Sequence, residues 1–270
     1  MGTIRFLHMS DLHYREQYAD NGFEALIAAR QHPKDNIIKC IREERENGFD
    51  FLLLTGDLTH EGEKSDCLAL DDLLKKELGN IPYIALPGNH DIREAFSPVF
   101  NRNGRFEGNN GVYKIKGLRI IVLDTGRSVN GLIEKEQITW LKEALKEPSP
   151  EGSLLALHHP LIDNQNGLPC AQYDGELKKV IAGSDILGIF CGHTHHNYMA
   201  QFAGKPYFTA DSMAFSMVTH KEVLTFKNHA AYTVMELRGK ILSAQVKQTV
   251  PEISVTASFS SDKLSQLFSQ

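Results

Sequence analysis

The sequence predicts an α/β fold, and three observations carry that expectation. Short aliphatic and β-branched runs alternate with stretches of helical period, glycine closes several of those stretches, and polar side chains recur directly after the apolar runs. Ile4 to Met9 opens the chain as a strand. A helix near Asp35 to Asn47 follows, with Ile37, Ile38 and Ile41 on one face and Gly48 at its end, then a strand at Phe51 to Leu54. The next helix, Lys64 to Leu78, aligns Leu70, Leu73, Leu74 and Leu78 before Gly79. Strands are predicted at Tyr83 to Leu86, Val112 to Ile115, Arg119 to Leu123, Leu154 to Leu157, Ile186 to Phe190 and Pro206 to Thr209. Helices fit Glu134 to Lys146, where Gln137, Trp140, Leu141, Ala144 and Leu145 share a face, and Glu176 to Ile181. Tyr232 to Leu237 and Ile241 to Val246 read as a hairpin around Arg238-Gly239-Lys240. Tyr14 to His32, a polar insertion, reads as a lid. Residues 1–250 are expected to form one domain and the Ser-rich 251–270 a flexible tail or packing arm.

Composition bounds the function. The 270 residues are 41% hydrophobic and 23% charged, with 29 Lys+Arg against 34 Asp+Glu and a net charge of -5, the profile of a soluble globular chain. Nucleic acid is an improbable partner, because binding through bulk charge rests on clustered Lys and Arg. Any phosphate must be drawn by a local site. Four scattered cysteines (Cys40, Cys67, Cys170, Cys191) suggest neither a disulfide framework nor a thiolate metal knot, so a reducing compartment is the simpler expectation. Ile4 to Leu7 is too short for a signal-peptide apolar region and no long apolar run appears, so the expected setting is cytoplasmic, with no membrane span. A homodimer is left open.

The polar residues after the strands are specific in type: Ser10-Asp11-Leu12-His13, Gly56-Asp57, Gly88-Asn89-His90-Asp91, His158-His159-Pro160 and Gly192-His193-Thr194-His195. Strand carboxyl ends are where sites form in open α/β sheets. Asp, Asn and His without Cys suit Mn, Fe or Zn. Alternation in an extended segment would set Asp11 with His13, and His193 with His195, on one side, while Gly56, Gly88 and Gly192 permit close backbone approach. Asp11, His13, Asp57, Asn89, His158, His193 and His195 exceed the needs of one ion, so two divalent ions sharing Asp57 are expected. Two such ions carry roughly +4 against about −2 from the aspartates, leaving a pocket that favours a phosphate ester. Alternation alone leaves the choice between His158 and His159 open.

These ordered blocks resemble the calcineurin-like metallophosphoesterase superfamily, over about residues 4 to 212. Within it the chain is similar to the class III cyclic nucleotide phosphodiesterase and glycerophosphodiesterase branch, on Pro87-Gly88-Asn89-His90-Asp91-Ile92-Arg93 with Phe96, Gly131-Leu132 to Gln137 with Trp140-Leu141, His158-His159-Pro160 and Cys191-Gly192-His193-Thr194-His195. The resemblance implies a four-layer α-β-β-α sandwich of two mixed sheets. It also implies one ion on Asp11, His13, Asp57 and His195 and the other on Asp57, Asn89, His158 and His193, the family pattern selecting His158. Two departures are visible. His60 stands where purple acid phosphatases carry a tyrosine ligand, and Thr209-Ala210-Asp211-Ser212-Met213 replaces a Pro-Ser-Thr-Ala-like segment, which predicts a different substrate rim.

The resulting reading is a small-molecule phosphodiesterase in which metal-bound hydroxide attacks phosphorus in line and His90 protonates the leaving oxygen, with Asp91 orienting the His90 ring. Arg93, His159 and His196 are candidate substrate contacts. His60 divides evenly between site and scaffold, Cys191 reads as packing, and His8, His32, His220 and His229 read as structural or solvated. The rivals are a phosphomonoesterase or pyrophosphatase on the same site, a DNA repair nuclease of the same superfamily, and a non-catalytic scaffold.

Overall fold

Successive side chains on a strand point to opposite faces, and the central strands here are buried on both, so each sheet must be covered twice. The computed structural model describes residues 2–20, 22–163, 165–221, 223–249, 254–260 and 263. One sheet takes β1 (Ile4–Met9), β2 (Phe51–Thr55), β3 (Tyr83–Leu86), β15 (Ala231–Arg238) and β16 (Ile241–Gln248) in the order β16-β15-β1-β2-β3. The other takes β4 (Arg105–Glu107), β5 (Asn110–Ile115), β6 (Leu118–Leu123), β8 (Ser153–Leu157), β10 (Ile186–Cys191), β11 (Tyr198–Phe202) and β12 (Lys205–Thr209) in the order β11-β12-β10-β8-β6-β5-β4. Both are mixed. Strands β1, β2 and β3 run parallel, as do β6, β8, β10 and β12, with antiparallel strands at the flanks.

Residue parity sorts the core into layers. Phe6, Phe51, Leu53 and Ile84 face Ile120, Leu154 and Phe190 between the sheets, and Phe6 stacks on Phe51 at 4.6 Å. The alternate residues Leu7, Leu52 and Leu54 turn outward to α2 (Pro33–Asn47), α3 (Lys64–Leu78) and α4 (Arg93–Phe100). On the far side Ile121, Leu155 and Ile189 meet α5 (Lys135–Ala144) and α6 (Glu176–Ala182). The expected four-layer α-β-β-α sandwich of two mixed sheets is what forms. Local chemistry sets the helix ends: Pro33 starts α2, reciprocal capping boxes pair Glu63 with Asp66 on α3 and Glu134 with Gln137 on α5, and Gly79 at φ 63° closes α3.

Other elements were not expected. The insertion Tyr14 to His32 contains α1 (Gly22–Ala28), and a third sheet joins β13 (Ser216–His220), β14 (Val223–Asn228) and β17 (Ser254–Ser260) in the order β13-β14-β17. A small pair, β7 (Leu132–Ile133) with β9 (Gln172–Tyr173), ties the loop before α5 to that before α6. Of the stretch 251–270, residues 254–260 form β17 and the others, apart from 263, lie outside the described residues. Among the described residues no helix is long and apolar enough to cross a membrane.

Candidate metal centre

Five strand ends from two sheets converge. Asp11 and His13 follow β1, Asp57 follows β2, Asn89 follows β3, His158 follows β8, and His193 and His195 follow β10. The loops after β1 and β2 are zipped together: Asp11 N donates to Gly56 O (3.0 Å), His13 N to Asp57 O (2.9 Å) and Tyr14 N to Leu58 O (2.9 Å). Strand alternation is not the device that turns the side chains inward. Asp11, His13, Asp57, His193 and His195 have φ of 51°, 44°, 49°, 72° and 49°, all left-handed, so each makes a sharp turn, where extended backbone was expected at Asp11, His13, His193 and His195. Such conformations cost about 1–2 kcal/mol per non-glycine residue and persist where surrounding contacts enforce them. The expected close approach at glycine holds: a Cβ on Gly88 would collide with Asp57, and one on Gly192 with Ser10 and, at 2.8 Å, with Asp11 Oδ2.

All seven candidate ligands reach one cluster. His195 Nε2 lies 3.2 Å from Asp11 Oδ1 and 3.1 Å from His13 Nε2, while Asp57 Oδ2 stands 3.8 Å from His13 Nε2 and 3.4 Å from His158 Nε2. Asn89 Oδ1 is 3.0 Å from both His158 Nε2 and His193 Nδ1. Asp57 thus sits between an Asp11–His13–His195 group and an Asn89–His158–His193 group. Of the two adjacent histidines His158 brings Nε2 to Asn89 and Asp57, whereas His159 Nδ1 bonds to Thr125 Oγ1 at 2.6 Å and its ring packs on that of His193 at 4.5 Å.

The donor set fits a cation on hydrogen-bond grounds. His195 Nδ1 lies 2.8 Å from Phe215 O and His158 Nδ1 2.8 Å from Thr55 O, so on each ring Nε2 is the atom turned to a carboxylate oxygen. Acceptor facing acceptor at 3.2–3.4 Å is repulsive unless a proton or a metal ion lies between. Among the described residues, buried His193 Nε2 has no hydrogen-bond partner. Burial alone lowers the affinity of His158 for a proton, yet the Asp57 carboxylate reverses this and raises its pKa to about 9. In His13 and His193 burial prevails and holds both rings well below their ordinary value. These are oxygen and imidazole donors, the chemistry of Mn, Fe and Zn sites.

Around the cluster several expectations change. His90 lines the cavity, but Asp91 does not orient its ring: Glu61 Oε1 lies 3.2 Å from His90 Nδ1, and the Asp91 carboxylate accepts from Leu58 N, Thr59 N, Thr59 Oγ1 and Gly88 N. Asp91 is therefore a pin between the loops after β2 and β3. Burial and the neighbouring Asp57 charge push its carboxyl up to about 6, with those donors pulling the other way. Arg93 is no substrate clamp, since its guanidinium is spent on Asp124 and on the carbonyls of Gly88 and Asp91. His159 is fully buried, and His196 bonds back to Thr194 O, away from the cavity. Nor does the segment 209–213 form a rim. Ser212 Oγ donates to Asp11 O (2.7 Å) and Asp211 pairs with His229, so it buttresses the Asp11 loop from behind.

Sequence reasoning missed Glu61, Arg127 and Phe23, which lie on the cavity wall. His60 belongs to the site: its Nδ1 is 3.0 Å from His13 Nδ1 and its ring stacks on His90 at 4.6 Å. The departure from the tyrosine pattern was the available signal. Cys191 is buried packing, and His8, bonded to Thr55 Oγ1 and held neutral by burial, is structural.

Comparison with known proteins accords with this geometry. Residues 4–197 match the calcineurin-like phosphoesterase family, and the chain belongs to it. It is 33% identical to a "probable cyclic nucleotide phosphodiesterase" of Rhodococcus erythropolis over 64% of this chain and 60% of that relative. It is 29% identical to a cAMP/cGMP dual specificity phosphodiesterase of Mycobacterium tuberculosis over 78% of this chain and 67% of that one. The first match thus spans about three fifths of the relative's length. A dimetal phosphatase from Danio rerio shares the fold with a TM-score of 0.60 at 13% identity, covering 92% of this chain and 99% of that one.

Proposed function

We propose that the chain is a dinuclear-metal-dependent phosphodiesterase acting on small phosphodiesters of the cyclic nucleotide or glycerophosphodiester type. The observation that carries the reading is Asp57, placed between two groups of oxygen and imidazole donors that approach one another to 3.0–3.8 Å. Asp11, His13, Asp57 and His195 would hold one ion, and Asp57, Asn89, His158 and His193 the other. When bound, the ions supply Lewis-acid polarisation of the phosphoryl oxygens and activation of water. His90 lines the same cavity with Nδ1 engaged by Glu61, which leaves Nε2 to give a proton to the departing oxygen. Gly88 and Gly192 let the loops close to contact distance and Asp91 locks those after β2 and β3, so these donors are held before substrate arrives.

The test is metal-stripped protein reloaded with Mn, Fe or Zn and given cyclic nucleotides, glycerophosphodiesters, monoesters and pyrophosphates. The expected result is two ions per chain by metal analysis and turnover confined to diesters. Asp57→Asn is expected to bind fewer than one ion, because the bridge serves both positions. Two retained ions in that variant, or turnover of monoesters alone, would overturn the reading.

A further inference from the structure

The cavity above the donor cluster, about 490 Å³, has a polar floor and an apolar wall. His13, Asp57, Asn89, His193 and His195 make the floor. Phe23 of α1, Leu168, Phe215, and Met217 and Leu224 of the third sheet make the wall, with Val129 at the mouth. Phe215, Met217 and Leu224 belong to a separate apolar cluster built by α1 and the third sheet, and Phe23 and Leu168 pack against it. The wall begins at the ligand positions, for the Phe215 ring is 4.3 Å from that of His195. Two charged side chains, Glu61 and Arg127, also border the cavity, and they are paired with each other at 2.7 Å.

From this we infer that the α1 and third-sheet wall is a subsite for an uncharged apolar arm of the phosphate ester, aryl or alkyl in character. The inference rests on the proposed phosphodiesterase reading and adds to it which diesters the site prefers. A phosphate on the floor leaves its substituent against Phe23, Leu168, Met217 and Leu224, where water is excluded and apolar surface is rewarded.

Diesters that share a 4-nitrophenolate leaving group and differ in the retained arm (methyl, hexyl, phenyl) test the subsite at constant leaving-group chemistry. The expected kcat/KM for hexyl and phenyl exceeds that for methyl by about tenfold or more, the worth of a few buried carbons. Leu168→Ser and Phe23→Ser should collapse the phenyl-to-methyl ratio, and Leu168→Met should keep it. A ratio near one in the parent protein, or one unmoved by both serine variants, overturns the subsite. Titration calorimetry with phenylphosphonate and methylphosphonate reads the same preference without turnover. Equal affinities overturn the subsite whatever is hydrolysed, whereas tighter phenylphosphonate binding with no diester cleaved upholds it and overturns the diesterase reading alone.

Discussion

His90 is shaped by its neighbours more than by its burial. Burial alone would depress its pKa, but the Asp57 and Glu61 carboxylates overcome that and raise it, so the ring keeps a proton more readily than an ordinary histidine. A group so placed matters most when the departing oxygen is a poor leaving group. His90→Ala should lower turnover of alkyl diesters by about 10²–10⁴ while lowering that of nitrophenyl diesters by less than about tenfold, measured side by side in steady-state assays. Equal losses on both would make His90 a buttress of the loop. At this scale the seven donor positions were legible because Asp, Asn and His directly after strands are a chemical signal independent of distant contacts. Glu61, Arg127 and Phe23 were not, because an exposed-type charge or a lone aromatic in a loop acquires its role only from what folds against it.

Among the elements, α2 is anchored by a buried charge. Glu44 binds Arg5 of β1, Lys247 of β16 at 2.6 Å and Tyr232 of β15 at 2.8 Å, tying the helix to three strands of one sheet. Burial opposes its ionisation, but hydrogen bonds from Lys247, Arg5 and Tyr232 prevail and hold its carboxyl below the ordinary 4.5. Glu44 therefore contributes fully above pH 4.5 and loses that contribution as pH falls through its lower folded value. Glu44→Gln should cost about 3 kcal/mol at neutral pH in urea denaturation, and the difference from the parent should shrink on the acid side of 4.5. An unchanged difference at low pH would locate the stabilisation elsewhere. Elements with an unbroken apolar run or a clear period were readable: β1, α3 and β3 occupy the expected residues. Helix α4 was not, being eight residues long with Pro98 inside it, and β13, β14 and β17 were not, because their apolar residues face a local cluster with α1 instead of the main core.

Over the whole molecule, the donors come from both sheets: Asp11, His13, Asp57 and Asn89 from one, His158, His193 and His195 from the other. Ions held there bind only when the sheets are correctly apposed, so they should stabilise the fold by mass action. At free metal about 100 times its dissociation constant the gain is about 2.7 kcal/mol per site, or roughly 5 °C in Tm per site for a chain of this size. Scanning calorimetry with and without Mn or Zn, and after chelation, reads it; a Tm indifferent to saturating ion would mean that the donors hold none. The left-handed backbone at Asp11, His13, Asp57, His193 and His195 carries one more implication. Glycine would sit at all five places more comfortably, so a lineage relieved of its chemistry and screened for endurance alone should drift toward glycine there before it touches the neighbouring core.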